Sequence, residues 1–472
     1  MTCADAVIKP LPGRKGLLIG FRESLAYIIN PDRFIEERVN EFGPVFGTTL
    51  FFKKTAVIGG ATAVEGFIKQ ESSILTSSLP ATFTELHTVY GAMNQSGERH
   101  QSTRAGYAPL FTNKAFQSYA QTIDRSISKF TSDTAQQDTS FIAKEAKRFC
   151  LNLFAEIFAG EQLSEQELKA FETYNKSLLS LSKKLPSFKK GMDALEELKG
   201  AMRERLSKYK GGSSKASCFD VFRQNRDENN APWGEERIAT ATILLIWGAY
   251  IEVASLMVNS LILTEGKQDV RAKILEEAKG LDLLKPGEEH PLKAWDLPYT
   301  QGVLRESLRL IPPGGGGFRI TSEAIQIAGF NVPAGYVVTA DPRIGNRMPT
   351  LFPEPAEFHP ERWIRTSKTA SSTDETNGAS RCPFAGTAAL LTRSAWFPGG
   401  TGSHGCPGIP LAELTCRIFL VRWMQSIESW QRPLGDPKGV PYDLLPIKVP
   451  TDAYRIQITA VDRHNHGLGL IP

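Results

Sequence analysis

Apolar positions in this chain follow two different periods. Between Phe46 and Gly59, β-branched and aromatic residues alternate around Lys53-Lys54, which predicts an early β-hairpin. From about Asn113 to Leu206 the apolar residues recur every three or four positions, with Lys and Glu between them, and a series of helices is expected. Trp233-Gly-Glu-Glu-Arg237 puts acidic residues where the first turn of a helix favours them, and this helix should run to about Thr264. Its stretch Ile238 to Leu263 is the most apolar of the chain. Glu252 and several small polar residues interrupt it, so it reads as a buried core helix.

The C-terminal half is more punctuated. A short helix from about Thr300 to Leu310 should stop at Pro312-Pro313-Gly-Gly-Gly-Gly317. Short strands with turns at Gly329 and Gly335 are expected from Ile320 to Val338, and a second buried helix from Leu411 to Ile427. Ser367 to Ser380 is polar and low in complexity, which predicts a surface insertion over 367–380. No internal repeat is visible. The expectation is a mainly α protein with a minor β lobe, one domain over 1–472, β-rich at about 40–80 and 318–345.

Composition narrows the class. Hydrophobic residues make up 41% and charged residues 22%, ordinary values for a globular protein with ample core. Lys and Arg number 55 against 51 acidic residues, a net charge of +4, too balanced to argue for a nucleic-acid partner. The six cysteines (Cys3, Cys150, Cys218, Cys382, Cys406 and Cys416) form no disulfide framework, and reduced thiols are the expectation. Met1 to Pro31 mixes charges, prolines and glycines with its apolar residues. Neither a signal peptide nor a membrane span is expected there. The expected location is cytoplasmic or organellar and soluble, with surface association to a membrane left open.

Two groups of residues carry candidate chemistry. Cys406 lies in Phe397-Pro-Gly-Gly-Thr-Gly-Ser-His-Gly-Cys406-Pro-Gly408, a glycine-rich loop that opens a predicted helix. Backbone N–H groups and the dipole of a helix start favour the anionic form of sulfur, so a thiolate ligand to a metal is one reading. A buried structural thiol is the other. Upstream, Glu306 and Arg309 stand three apart on one helix face and can pair, with Arg362 of Phe358-His-Pro-Glu-Arg362-Trp363 as a third member. Buried charges need mutual satisfaction, so such a triad would fix geometry more than supply stability. Taken alone, a Glu-x-x-Arg pair occurs by chance.

In this order and spacing, the groups resemble the cytochrome P-450 superfamily, and the resemblance spans most of the chain. It includes Pro10-Leu-Pro-Gly13 and Gly97-Glu-Arg-His100-x-x-x-Arg104. The resemblance implies the P-450 fold and haem b (iron protoporphyrin IX), with Cys406 as axial iron ligand. It implies that His100, Arg104, Arg319 and His404 meet the haem, and that Glu306, Arg309 and Arg362 form the structural triad. The cysteine loop departs from the family pattern: Phe397 lies two residues further from the cysteine than usual, and His404 stands where arginine is usual. Such a loop is similar to that of the allene oxide synthase and hydroperoxide lyase branch.

The central helix departs too. Where the family's monooxygenases place an acid followed by threonine, this chain has Ile251 and Glu252. The acid–alcohol pair delivers protons during dioxygen activation, which Ile251 cannot do and Glu252 would do with a different reach and charge. A one-residue slip or a helix bulge would leave Glu252 as the working acid. The resemblance with these departures implies an enzyme that rearranges or cleaves polyunsaturated fatty-acid hydroperoxides, with Glu252, Ile251 and Cys406 as the catalytic set and no redox partner. The alternative is a reductase-dependent monooxygenase acting on a lipid, steroid or terpenoid, and a third class is a haem-binding carrier or sensor. Expected pocket residues are Phe83, Leu86, Tyr90, Tyr250, Val253 and Gly315, apolar walls suited to a small-molecule lipid. His87 is expected to be an exposed polar residue.

Overall fold

Phe51 and Phe52 close the hairpin that the alternation predicts. The computed structural model describes residues 8–71, 75–211, 217–281, 297–364, 394–433, 439–445 and 447–461. In it Val45–Leu50 pairs antiparallel with Lys53–Ile58, Val45 opposite Ile58 and Leu50 opposite Lys53. Both turn residues are left-handed, with φ of 51° and 64°. Asn-Gly adopts that conformation readily, whereas an aromatic residue incurs about 1–2 kcal/mol there.

The chain divides into two compact units, the first drawn from Met1–Pro80, Leu308–Cys406 and Leu444–Pro446. Its main sheet has five strands in the order Val45–Leu50, Lys53–Ile58, Val337–Ala340, Phe318–Thr321, Leu75–Ser77. Only the Lys53–Ile58 to Val337–Ala340 pairing is parallel. Val337–Ala340 is buried along its whole length, as suits a β-branched central strand. Gly329 and Gly335 turn with φ of 80° and 77°, at the positions expected. Two helices, Leu17–Ile29 and Pro31–Phe42, precede the hairpin. The Asn30 side chain accepts the Arg33 N–H at 3.0 Å and Pro31 fills the first helical position, so the second helix starts where its sequence dictates. Arg38 grips Glu23 through two buried bonds of 2.7 and 2.9 Å, and the Thr48 hydroxyl donates to the same carboxylate at 2.9 Å. This closed network ties both helices to the hairpin.

The second unit holds the helical series. Asn113–Ala135, Ile142–Ala159, Glu165–Ser177 and Pro186–Lys208 occupy the region of helical period, and Ser164 with Glu167 forms a reciprocal cap before the third. The central helix, Glu235–Thr264, is long and apolar enough to cross a membrane. Most of it is buried within its unit, against Ile142–Ala159, Pro186–Lys208 and Ile409–Ser426. Among the described residues the helices far outweigh the strands. The expected insertion at 367–380, Cys3 and Cys382 lie outside the described residues.

The turn supplies a test of strain. Replacing Phe51-Phe52 by Asn-Gly should stabilise the first unit by about 2 kcal/mol. This would appear as a higher urea midpoint; an unchanged or lower midpoint would show that the Phe-Phe turn carries no penalty.

Candidate active site

Three backbone hydrogen bonds fold the cysteine loop on itself. Gly400 donates to the Phe397 carbonyl at 3.0 Å, Gly405 to Gly402 at 3.1 Å, and Cys406 N–H to Gly399 at 2.8 Å. Gly400 and Gly402 take φ of 78° and 70°, which the tight folding of the loop requires. Ser403 N–H donates to Glu71 Oε2 at 2.7 Å, while Arg319 Nε donates to Glu71 Oε1 at 3.0 Å. Arg319, expected to meet the haem, therefore has a buried carboxylate partner inside its own unit.

Cys406 is exposed, unlike Cys150, Cys218 and Cys416, which are buried. Burial pushes the Cys218 thiol up to about 12 and raises those of Cys150 and Cys416 further, so these three are inert structural thiols. Among the described residues no cluster of three or more His, Cys, Asp or Glu could hold a bare metal ion. One accessible thiol without companion ligands suits a metal that arrives with its other ligands, as the iron of a porphyrin does.

Glu306 and Arg309 are wholly buried on the helix Pro298–Leu310. Arg309 donates to the carbonyls of Asn346, Pro355 and Glu357 at 3.0, 2.7 and 2.9 Å, and its guanidinium stands 5.2 Å from the Phe352 ring. Arg362, in the turn Pro360–Trp363, donates to Pro353 at 3.1 Å. Guanidinium forks thus collect carbonyls from a stretch with little regular structure of its own. Trp363 then packs on Phe352 and on Trp396, with ring centroids 5.9 and 4.7 Å away. The next residue, Phe397, begins the cysteine loop. His404 is half-buried in the turn Gly402–His404, and Gly315 is exposed in the first unit.

In the second unit the central helix opens along one strip. Gly248 is exposed and Ala249 and Glu252 are half-buried, whereas Tyr250, Ile251 and Val253 are buried. A Cβ at Gly248 would meet nothing within 4 Å. Sequence reasoning missed Gly248 and Ala249; an isolated glycine within an apolar helix was the available signal. Glu252 Oε2 is enclosed without a hydrogen-bond partner among the described residues. Burial pushes its pKa up to about 8, so the carboxyl is mainly protonated at neutral pH. Helix Gly97–Tyr107 carries buried His100 and half-buried Arg104 one turn apart.

The expected pocket residues Phe83 and Leu86 are buried, and Tyr90 is half-buried. His87 corrects its expectation: it is only 2% exposed, stacked on Phe83 at 4.0 Å and edge-on to Trp247 at 4.6 Å. Burial drives its pKa down to about 3, so the ring is neutral. Its place in an aromatic cluster with Tyr174 depends on residues distant in sequence, which the local polar pattern does not reveal.

The family profile described as Cytochrome P450 matches residues 17–448. The chain belongs to the cytochrome P450 family. It is 27% identical over 427 residues to a protein of Synechocystis sp. named as a cytochrome P450 120, covering 89% of this chain and 90% of that one. It is 25% identical over 465 residues to a protopanaxadiol 6-hydroxylase of Panax ginseng, covering 93% and 92%. The solved structure described as retinoic acid bound cyanobacterial CYP120A1 superposes with a TM-score of 0.82 at 26% identity, covering 95% of this chain and 99% of that chain. This P450 has the mainly α fold of its family and haem b as cofactor, which the accessible Cys406 thiol fits.

Glu252 gives a pH test. An unfolded glutamate ionises near 4.5 and this one near 8, so ionisation weighs against the folded state. The penalty is absent below the lower value, grows between the two and is complete above about 8. Glu252→Gln should therefore raise the Tm at pH 8.5 relative to the parent and change it little at pH 4.5. Equal shifts at both pH values would show that the carboxyl is not desolvated.

Proposed function

We propose that this P450 is a reductase-dependent monooxygenase that hydroxylates a lipophilic, isoprenoid-type substrate. The main support is near full-length likeness to a retinoic-acid-bound P450 and to a plant hydroxylase of protopanaxadiol, both isoprenoid compounds. In such a reaction one oxygen atom of O2 enters a C–H bond and the other leaves as water, with two electrons from a reductase and two protons. When bound, the haem supplies dioxygen activation at its iron. On this reading Cys406 binds the iron, and Glu306, Arg309 and Arg362 hold the chain leading to the cysteine loop. Glu252 holds a proton on the accessible strip of the central helix, where the family's acid–alcohol pair is absent. A redox partner is then required, which replaces the expectation that none is needed.

The substitution of Ile251 and Glu252 for acid and alcohol favours a second reading. A fatty-acid hydroperoxide brings its own O–O bond and calls for neither reductase nor a proton relay. The two readings separate in one assay. Purified haem-loaded protein is given NADPH, a surrogate reductase and either retinoic acid or a triterpenoid alcohol, and separately a polyunsaturated hydroperoxide alone. NADPH-dependent products heavier by one oxygen support the monooxygenase; consumption of hydroperoxide without NADPH, and no oxygenation, would replace it with the second reading. Cys406→Ala should lose the thiolate spectrum together with either activity.

Surface features also support association with a lipid membrane. On helix Leu17–Ile29 the stripe Leu18, Phe21, Leu25 and Ile28 is exposed, Leu18 to 87%. Phe51 N–H donates to Ser24 Oγ at 2.8 Å, so the turn is fastened to that helix, and Phe52 is 72% exposed beside it. Arg22, Lys53 and Lys54 are exposed cations, while Glu23 is buried against Arg38. An apolar stripe edged by cations suits an anionic lipid surface. Co-sedimentation with phosphatidylserine vesicles should exceed that with phosphatidylcholine, and the Asn-Gly turn variant should reduce it at least severalfold. Binding to neither vesicle, with concentration-dependent self-association instead, would make this face a contact between copies of the chain.

A further inference from the structure

We propose that Glu71 is a positioning residue for the cysteine loop, and that it sets the electronic environment of the sulfur through Ser403 and Arg319. The inference rests on the reading of Cys406 as the haem ligand. Glu71 is the last residue of helix Ala61–Glu71 and is 5% exposed. Its two oxygens serve two different donors, Arg319 Nε and the Ser403 N–H.

The loop is shaped to receive this carboxylate. A Cβ at Gly402 would stand 1.6 Å from Glu71 Oε2, and the φ of 70° at that position also disfavours a side chain. Only glycine leaves room for the contact. On the far side, Arg319 belongs to the five-stranded sheet, opposite Ser77 on one neighbour and Val338 on the other. Its Nη1 also donates to the Phe318 carbonyl at 3.0 Å. The apex of the loop is therefore tied to the sheet through Arg319, Glu71 and Ser403, three residues before the thiol. The tie restrains the loop between Phe397 and Cys406 at Ser403.

Charge follows from the same geometry. Glu71 and Arg319 form a buried ion pair with side chains only 4% and 6% exposed, so removing the carboxylate leaves a buried cation without its partner. An uncompensated cation favours the more reduced, less positive state of a nearby redox centre.

The test uses the haem-loaded protein and two readouts besides turnover, the absorption maximum of the ferrous carbonyl complex and the midpoint potential. Glu71→Ala should keep its far-UV circular dichroism and bound haem, shift the carbonyl absorption band and raise the potential. Glu71→Gln keeps one acceptor and no charge; it should restore the band at least in part while the potential stays raised. Gly402→Ala reaches the same contact from the loop and should shift the band even if Glu71→Ala fails to fold. An unchanged band and potential in the haem-loaded variants that fold would overturn the proposal, as would a lowered thermal midpoint with neither readout moved. Cys406→Ser separates the two layers of inference. If it abolishes the thiolate spectrum while the Glu71 and Gly402 variants change nothing, the ligand stands and the clamp does not. If it leaves the spectrum intact, the ligand assignment itself fails.

Discussion

The exposed thiol of Cys406 stands at the end of a loop whose shape depends on backbone hydrogen bonds. The left-handed angles of Gly400 and Gly402 fold the loop so that Gly399 accepts the Cys406 N–H and Gly402 accepts that of Gly405. Its apex N–H is bonded to Glu71, so the sulfur leaves a backbone that is held on more than one side. The three other described thiols show the contrast, since each is buried and desolvation raises its pKa.

Buried charge does structural service throughout the first unit. Arg38 with Glu23, Arg319 with Glu71 and Arg343 with Asp341 are pairs with little exposed surface. Arg309 donates to carbonyls of a segment that has few strand or helix bonds of its own. Such pairs contribute little net stability compared with apolar packing, but losing one partner is costly, which makes them effective at fixing geometry. The route from Arg309 through Phe352, Trp363 and Trp396 to Phe397 shows how that geometry reaches the cysteine loop.

Two local penalties stand out in the structure. The Phe51-Phe52 turn accepts left-handed aromatics and in return presents them beside an exposed apolar stripe. Glu252 interrupts the most apolar helix of the chain with a carboxyl that burial keeps largely protonated. A leucine would suit the helix better, and a glycine with asparagine would suit the turn. At both positions the residue present departs from local preference.

By itself the sequence determined many of the elements and the family, though its preferred reaction gave way to the alternative. The alternation around Lys53-Lys54, the acidic opening of the central helix and the proline–glycine stop after Leu310 are local rules, and each acts over a few residues. Cys406 among its glycines, and the order of Glu306, Arg309, Arg362 and Cys406, were enough to imply a haem-thiolate protein. Tertiary structure alone decided what those residues face. The polar character of His87 gives no hint of its burial, because Trp247 and Tyr174 come from helices far along the chain. Nor does the sequence disclose that Arg319 is held by Glu71, 248 positions away, or that Gly248 opens a strip on a buried helix. Periodicity reports which way a side chain leaves its own element. What it meets depends on which distant element is packed there, and no local pattern encodes that partner.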